Sequence, residues 1–304
     1  MHITQNPIMR VALRPIIWAT ECLGKHNPEL LMRIRYYQRF HKRLNLKEPC
    51  TLNEKILYLS LKTDTSQWTK LADKYAVRSY VKDCGLECIL TKLYKHWTNE
   101  HEVQFDDLPN SFVLKSVQGC GDVIIVNNKA NMDRSTISKS IHQMFHERYG
   151  ALEGGKHYMR ITPSVIVEEL LPMGEEGSLI DYKIWCFNGK PYCILTCSER
   201  TKTGVKLGSY DTSWNYHPEH LVSSNEHPLR PMPLPKPKNL SKMLEVAEKL
   251  SAPFPQVRVD LYDINGVVYF GEMTFTAYGG MMNYYSEEFQ NAAGKEIDLN
   301  YNKS

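Results

Sequence analysis

The clearest pattern in this chain lies near its carboxy-terminal end. Val257-Arg258-Val259-Asp260-Leu261-Tyr262 alternates apolar and polar positions, Asn265-Gly266 follows, and Val267-Val268-Tyr269-Phe270-Gly271-Glu272 resumes the run. Period-two alternation reads as a half-buried strand, and Asn-Gly between two such runs reads as a tight hairpin turn. The same rule predicts a hairpin from Asp181–Phe187 and Pro191–Ser198 around Asn188-Gly189. Ser111–Val117 and Asp122–Val126 read as strands separated by Gln118-Gly119-Cys120-Gly121, and Ser164–Leu171 as an almost wholly apolar strand holding two acids. Helical spacing predicts one or two helices over 26–48. Thr51-Leu52-Asn53-Glu54 is a capping box opening a helix to about Leu61. Further helices are expected from Ser66 through Tyr80, from Met132 to Tyr149, and from an Asn239 cap to Leu250. Five prolines between 228 and 237 predict an extended surface linker. Hairpins mixed with helices give an α+β fold dominated by antiparallel sheet.

Composition narrows the classes. The chain has 304 residues and a formal net charge of +3, too little for a dedicated nucleic-acid binder. No apolar run approaches a membrane span. The segment Val11–Leu23 is broken by Arg14, Pro15 and Glu21, so it is not expected to be a signal peptide. None of the eight cysteines forms a C-x-x-C pair, and Cys193 and Cys197 on one strand lie too far apart to bridge. Reduced cysteines packed as small hydrophobes in a cytoplasmic protein are expected. Arg33, Arg35, Arg39, Lys42 and Arg43 lie among apolar residues in the first helical region. Such a face suits anionic lipid or an acidic polymer, and equally a solvated surface.

The chemistry concentrates in the strands. Folding the last hairpin brings Asp260 and Glu272 together, with Arg258 on the same face. Paired acids in a sheet repel unless a cation lies between them, and Mg²⁺ takes carboxylates plus phosphate oxygens. Lys115 leaves its strand just before the glycine-bearing loop Gln118-Gly119-Cys120-Gly121, where loop N–H groups can wrap phosphate. A plain tight turn would look the same. No Walker pattern and no dinucleotide fingerprint is present. Glu168, Glu169, Leu170 and Leu171 could line an adenine edge, or hold a satisfied core acid. Lys183 with Asp181, and Arg200 beside Glu199, place charges in apolar strands that could equally face solvent.

Taken together, these segments resemble the ATP-grasp superfamily of carboxylate–amine ligases, and most closely its TupA-like branch, associated with teichuronopeptide and other cell-surface polysaccharide synthesis. The likeness runs from about Leu52 to Phe289. It is carried by Asn53-Glu54-Lys55-Ile56, Asp73-Lys74-Tyr75, Phe112-Val113-Leu114-Lys115, Asp181-Tyr182-Lys183, Phe187-Asn188-Gly189-Lys190, Phe254-Pro255-Gln256-Val257-Arg258-Val259-Asp260 and Phe270-Gly271-Glu272-Met273-Thr274-Phe275. The resemblance implies two α+β lobes clasping ATP. These would be a helical region at 1–65, a lid and central lobe at 66–165, and a carboxy-terminal lobe at 166–304.

It also implies roles. Lys74 and Lys115 would hold the α- and β-phosphates, with Gln118, Gly119 and Gly121 covering the β/γ end. Glu168, Glu169, Leu170 and Leu171 would line adenine, and Glu175 or Glu176 would meet the ribose. Lys183 and Arg200 would face the γ-phosphate and acyl intermediate, and Arg258 would stabilise the transferring phosphoryl group. Asp260, Glu272 and Thr274 would serve Mg²⁺. Thr274 replaces an asparagine common in such ligases and is a weaker oxygen ligand. The short helical amino-terminal region is unlike the α/β substrate lobe that commonly precedes this core.

The implied reaction forms an acyl phosphate from a substrate carboxylate, which an amine then converts to an amide. A sugar acid or amino acid and an amine acceptor carried on a polysaccharide precursor would be the partners; peripheral contact with the inner membrane face is also expected. A glycosyltransferase of polysaccharide assembly, an ATP-dependent sugar kinase and a non-catalytic binding module are the rival classes. No Asp-x-Asp pair or βαβ alternation supports the first. Tyr278, Tyr284 and Tyr285 offer flat faces for sugar rings or for core packing.

Overall fold

A computed structural model describes residues 14–119, 121–146, 149–172, 179–201 and 204–301. Helices α1 (Arg14–His26) and α2 (Pro28–Phe40) open the chain. Asn27 caps α2 by accepting the Leu30 N–H, and His41 ends it in the left-handed region at φ 52°. Lys42 and Arg43 therefore lie beyond the helix. In α3 (Leu52–Lys62) the capping box forms as expected: Thr51 accepts from the Glu54 N–H, and Glu54 reaches back to the Thr51 N–H.

The helix expected over 66–80 is split into α4 (Ser66–Ala72) and α5 (Val77–Asp83). The Asp73 carboxylate accepts the backbone N–H groups of Tyr75 and Ala76, which competes with the helical ladder. Lys74 sits at the break, its own N–H donated to Val117 O.

Two antiparallel sheets follow. The smaller takes β1 (Leu93–Trp97), β2 (Phe112–Ser116), β3 (Val123–Val126) and β4 (Val165–Glu168) in the order β1-β4-β2-β3. Helix α6 (Arg134–His146) packs on it through Ile137, Ile141 and Met144, against Phe112, Leu114, Val165 and Val167. Two short helices, α7 (Tyr149–Glu153) and α8 (Lys156–Met159), precede β4. The boundary expected after residue 165 falls inside β4, a central strand of this sheet.

The larger sheet takes β5 (Asp181–Phe187), β6 (Lys190–Ser198), β7 (Lys206–Asp211), β8 (Gln256–Ile264) and β9 (Val267–Thr274) in the order β7-β6-β5-β8-β9. Alternation gives it two apolar faces. Tyr182, Ile184, Cys186, Val257, Val259 and Leu261 meet α9 (Leu240–Ser251), α4 and α5. Trp185, Phe187, Cys193 and Leu195 meet α3 and α10 (Glu287–Glu296). Both Asn-Gly turns form, with Asn188, Gly189, Asn265 and Gly266 all at positive φ.

Two expectations change. The proline segment 228–237 is no free linker: Leu207 N donates to Pro228 O, Arg230 N to Leu207 O, and Leu234 is buried, its N–H donated to the Tyr210 hydroxyl. It is a strap on the β7 edge. Asn239 precedes α9, but its amide serves Asp263 on β8 rather than the helix. The seven described cysteines are all unbridged, and Cys186, Cys193 and Cys197 are buried.

Candidate active site

Register decides which side chains meet. In the larger sheet Lys183 faces Asp260 across β5–β8, while Asp260 faces Glu272 and Arg258 faces Thr274 across β8–β9. Residues directly opposite share a face, so Asp181, Lys183, Arg258, Asp260, Glu272 and Thr274 emerge together, beside Trp185. A bulge makes this possible. From the turn, Val267 through Phe270 pair with Ile264 through Leu261, but Asp260 then pairs with Glu272, leaving Gly271 as the extra residue. Uninterrupted pairing would have set Gly271 opposite Asp260 and turned Glu272 to the other face.

The side chains form one charged chain. Arg258 grips Asp260 with two bonds, Nε to Oδ1 at 2.7 Å and a guanidinium nitrogen to Oδ2 at 2.8 Å. Lys183 Nζ donates to the same Asp260 Oδ2 at 2.5 Å. Arg258 also reaches Thr274 Oγ1 at 3.1 Å and Glu272 Oε1 at 3.4 Å, and Thr274 donates to Glu272 at 3.0 Å. On the far side Lys183 lies 3.7 Å from Asp181, which accepts from Arg200 at 2.8 Å.

Burial pushes the Glu272 carboxyl up, but Lys74, Lys183 and Arg258 outweigh it and hold it down at about 2. Asp181 follows the same logic: burial raises it, and Lys183 and Arg200 bring it below its ordinary value. Burial opposes charge on Lys183, yet Asp260 and Asp181 raise it. Burial, the largest influence on Asp260, leaves its carboxyl above its ordinary value against the opposing pull of Arg258 and Lys183, which make three charge-assisted bonds to it.

Lys74 connects the two sheets. Its charge acts on Glu272, while its Nζ donates to Gly119 O at 2.6 Å in the loop between β2 and β3. That loop is braced: Ser116 donates to Asp122 at 3.1 Å and accepts the Gly119 N–H at 3.0 Å. A Cβ on Gly119 would stand 1.8 Å from an Asp122 oxygen, and Gly121 adopts φ +86°. Gln118 is buried and donates to Met144 O at 2.6 Å, so its side chain ties the loop to α6 rather than facing the cleft.

Glu168 is more engaged than an adenine acceptor needs to be. Lys115 donates to its Oε2 at 2.8 Å, and Arg78 and Thr91 donate to Oε1, each at 2.8 Å. Its first role is to hold Lys115 and Arg78. Glu169 Oε1 accepts the Lys92 N–H at 2.7 Å, fixing the start of the half-buried Glu169-Leu170-Leu171 segment. Glu175 and Glu176 lie outside the described residues. Sequence reasoning missed Arg78 and Asp122, which carry no motif and matter only through their partners.

The donor set suits Mg²⁺. Asp260, Glu272 and Thr274 offer only oxygen, the two acids are register partners, and the Glu272 side chain is 38 % exposed and ionised. Four cations (Lys74, Lys183, Arg200, Arg258) surround three carboxylates, a balance that fits a polyanion carrying its own metal.

Residues 54–298 match the model of the TupA-like ATP-grasp family. No curated protein matches the chain. Solved structures are similar to parts of the chain at low identity. D-alanine–D-alanine ligase from Bacillus anthracis is 16 % identical with a TM-score of 0.45, over 77 % of this chain and 64 % of that one. An L-amino acid ligase from Bacillus licheniformis is 13 % identical with a TM-score of 0.46, over 90 % and 61 %. The ADP complex of N5-carboxyaminoimidazole ribonucleotide synthetase is 12 % identical with a TM-score of 0.43, over 72 % and 49 %. The chain spans less than two thirds of the length of each of these three. With four fifths of its residues inside one family model, the chain belongs to the TupA-like ATP-grasp family.

Proposed function

We propose that this protein is an ATP-dependent carboxylate–amine ligase acting on a precursor of a cell-surface polysaccharide in the cytoplasm. The observation that carries the reading is the Lys183–Asp260–Arg258–Glu272 cluster, with Lys74 reaching from it to the glycine loop. Its two sheets would act as the lobes that clasp the nucleotide. Lys74 and Lys115 hold the phosphates, Lys115 presented by Glu168. Glu169 through Leu171 line the adenine. Asp260 and Glu272, with Thr274 beside them, would hold Mg²⁺, which would supply charge neutralisation on the phosphate oxygens.

Arg258 and Lys183 neutralise the phosphoryl group as the substrate carboxylate attacks it and ADP leaves; Arg200 steadies Asp181 and the acyl side. An amine then displaces phosphate from the acyl phosphate, leaving an amide. Positioning and fixed charge do this work without a protein nucleophile.

The sugar side of the reading rests on the exposed ring of Tyr278, since Tyr284 and Tyr285 are buried in the core. The Tyr278 and Tyr284 rings meet edge to face at 5.8 Å, with His227 against both, and Arg39 stands 4.8 Å over Tyr278.

The test is thermal shift with ATP and a non-hydrolysable analogue, each with and without Mg²⁺. Binding to the folded state alone raises the melting temperature by mass action. A magnesium-dependent rise is expected, followed by phosphate release only when a carboxylate and an amine are both supplied. ADP formation with one acceptor alone and no free phosphate means a kinase. A rise with nucleotide sugars but not with ATP means a glycosyltransferase.

A further inference from the structure

We infer that α1 and α2 form a docking face for an anionic membrane surface, a property independent of the ligase reading. Helix α2 is apolar on two sides. Leu31, Met32 and Tyr36 are buried against the body of the protein. Leu30, Ile34 and Tyr37, spaced i, i+4 and i+7, form a second stripe whose members are 41–57 % exposed. On α1, Trp18 is 70 % exposed and Ile16 63 %. A helix built only to cap the domain has no use for this outer stripe, and burying it elsewhere is its physical rationale.

Charge names the occupant. Between residues 28 and 48 there are six Lys or Arg against two Glu, a net of +4, while the whole chain carries +3. Arg33 is held by Glu29 and the Leu44 carbonyl, Arg39 reaches Met281 O and Lys42 pairs with Glu287, so the charge offered outward comes chiefly from the exposed Arg43 and Lys47. Arg33 and Arg43 line an open depression of about 480 Å³ with Ile34, Tyr37, Gln38 and Leu44. A second copy of this chain would bring the same positive face against itself. An anionic lipid surface takes the apolar side chains at the headgroup boundary and the guanidinium groups at the phosphates. No described helix is long and apolar enough to cross a membrane, so the contact is with the surface.

Trp18 makes this measurable. Trp68, Trp97 and Trp185 are buried and Trp214 is half-buried, which leaves Trp18 as the exposed indole among the five. The full chain is mixed with vesicles of phosphatidylcholine alone or with added phosphatidylglycerol, and both Trp fluorescence and co-sedimentation are followed. The expected result is a blue shift and sedimentation with the anionic vesicles only, weakening as salt is raised. Trp18→Phe should abolish the shift but not the sedimentation. Arg43→Glu combined with Lys47→Glu, and separately Ile34→Asp, should each lower partitioning at least tenfold. The ATP–Mg²⁺ thermal shift, run on the same samples, reports folding and the nucleotide site separately. Equal binding to neutral vesicles, or no binding, overturns the proposal. So does a concentration-dependent dimer, seen by light scattering, that shifts the Trp18 emission without lipid.

Discussion

Asp260→Asn tests the cluster most directly. Asp260 is 3 % exposed and receives three charge-assisted bonds, two from Arg258 and one from Lys183. The asparagine keeps the shape but removes the charge, leaving both cations buried with a neutral partner. Breaking a buried pair by removing one member costs about 3–5 kcal/mol, because the remaining charge is uncompensated. That is a large part of a total stability of roughly 5–15 kcal/mol. In a chain of this size it corresponds to a fall of about 6–10 °C in melting temperature.

Urea and thermal unfolding of the ligand-free protein measure it. A second variant separates uncompensated charge from general damage. Adding Lys183→Met to Asp260→Asn removes one stranded cation and leaves Arg258 with Glu272 and Thr274, so the pair should recover about 1–3 kcal/mol over the single variant. Turnover should be lost in both, since each lacks a carboxylate from the metal bridge. A single variant within about 1 kcal/mol of the parent would refute the charge argument. No recovery in the double variant would refute the stranded-cation cause, and near-normal turnover in Asp260→Asn would sink the metal assignment.

Glu272 gives a pH signature. Its folded pKa, about 2, lies below the ordinary 4.5, so its contribution is present above about pH 4.5 and is lost as pH falls toward 2. Because the side chain is 38 % exposed, the shift is discounted for solvent screening to about 1 kcal/mol. Urea unfolding at stepped pH should show the gap between parent and Glu272→Gln closing across that window; a constant gap refutes the attribution to Lys74, Lys183 and Arg258. Lys115→Ala should raise the KM for ATP at least tenfold with little change in melting temperature, because Arg78 and Thr91 still hold Glu168; unchanged nucleotide affinity would move the phosphate site elsewhere. Gly271→Ala should lower turnover and stability together, since its Cβ would stand 2.9 Å from Asp260 O and disturb the bulge; parent-like kinetics would show that the bulge tolerates a side chain.

What the sequence disclosed, and what it withheld, follows from whether a feature is local. The capping box of α3 and the two Asn-Gly turns are set by residues within a few positions of one another, and they form where the pattern puts them. Strands β1 and β7 were not legible. Both are sheet edges, and β7, Lys-Leu-Gly-Ser-Tyr-Asp, has no apolar alternation; its burial comes from the proline strap, about 20 residues away in sequence. The break at Asp73 depends on a side chain capturing backbone N–H groups inside an apolar periodicity that by itself favours a continuous helix.

The pairing of Asp260 with Glu272 is the instructive case. The alternating hairpin pattern is read as putting the two acids on one face, and they are together, but strict period-two counting from Asn265-Gly266 sets Glu272 on the opposite face, so the expectation holds only through the bulge. Gly271 resolves the conflict by entering the ladder as an unpaired residue, where a side chain would press on the Asp260 carbonyl. The local rule therefore fails by one residue where the proposed chemistry needs it to fail, and the glycine between Phe270 and Glu272 is as much part of the proposed metal site as the acid it turns inward.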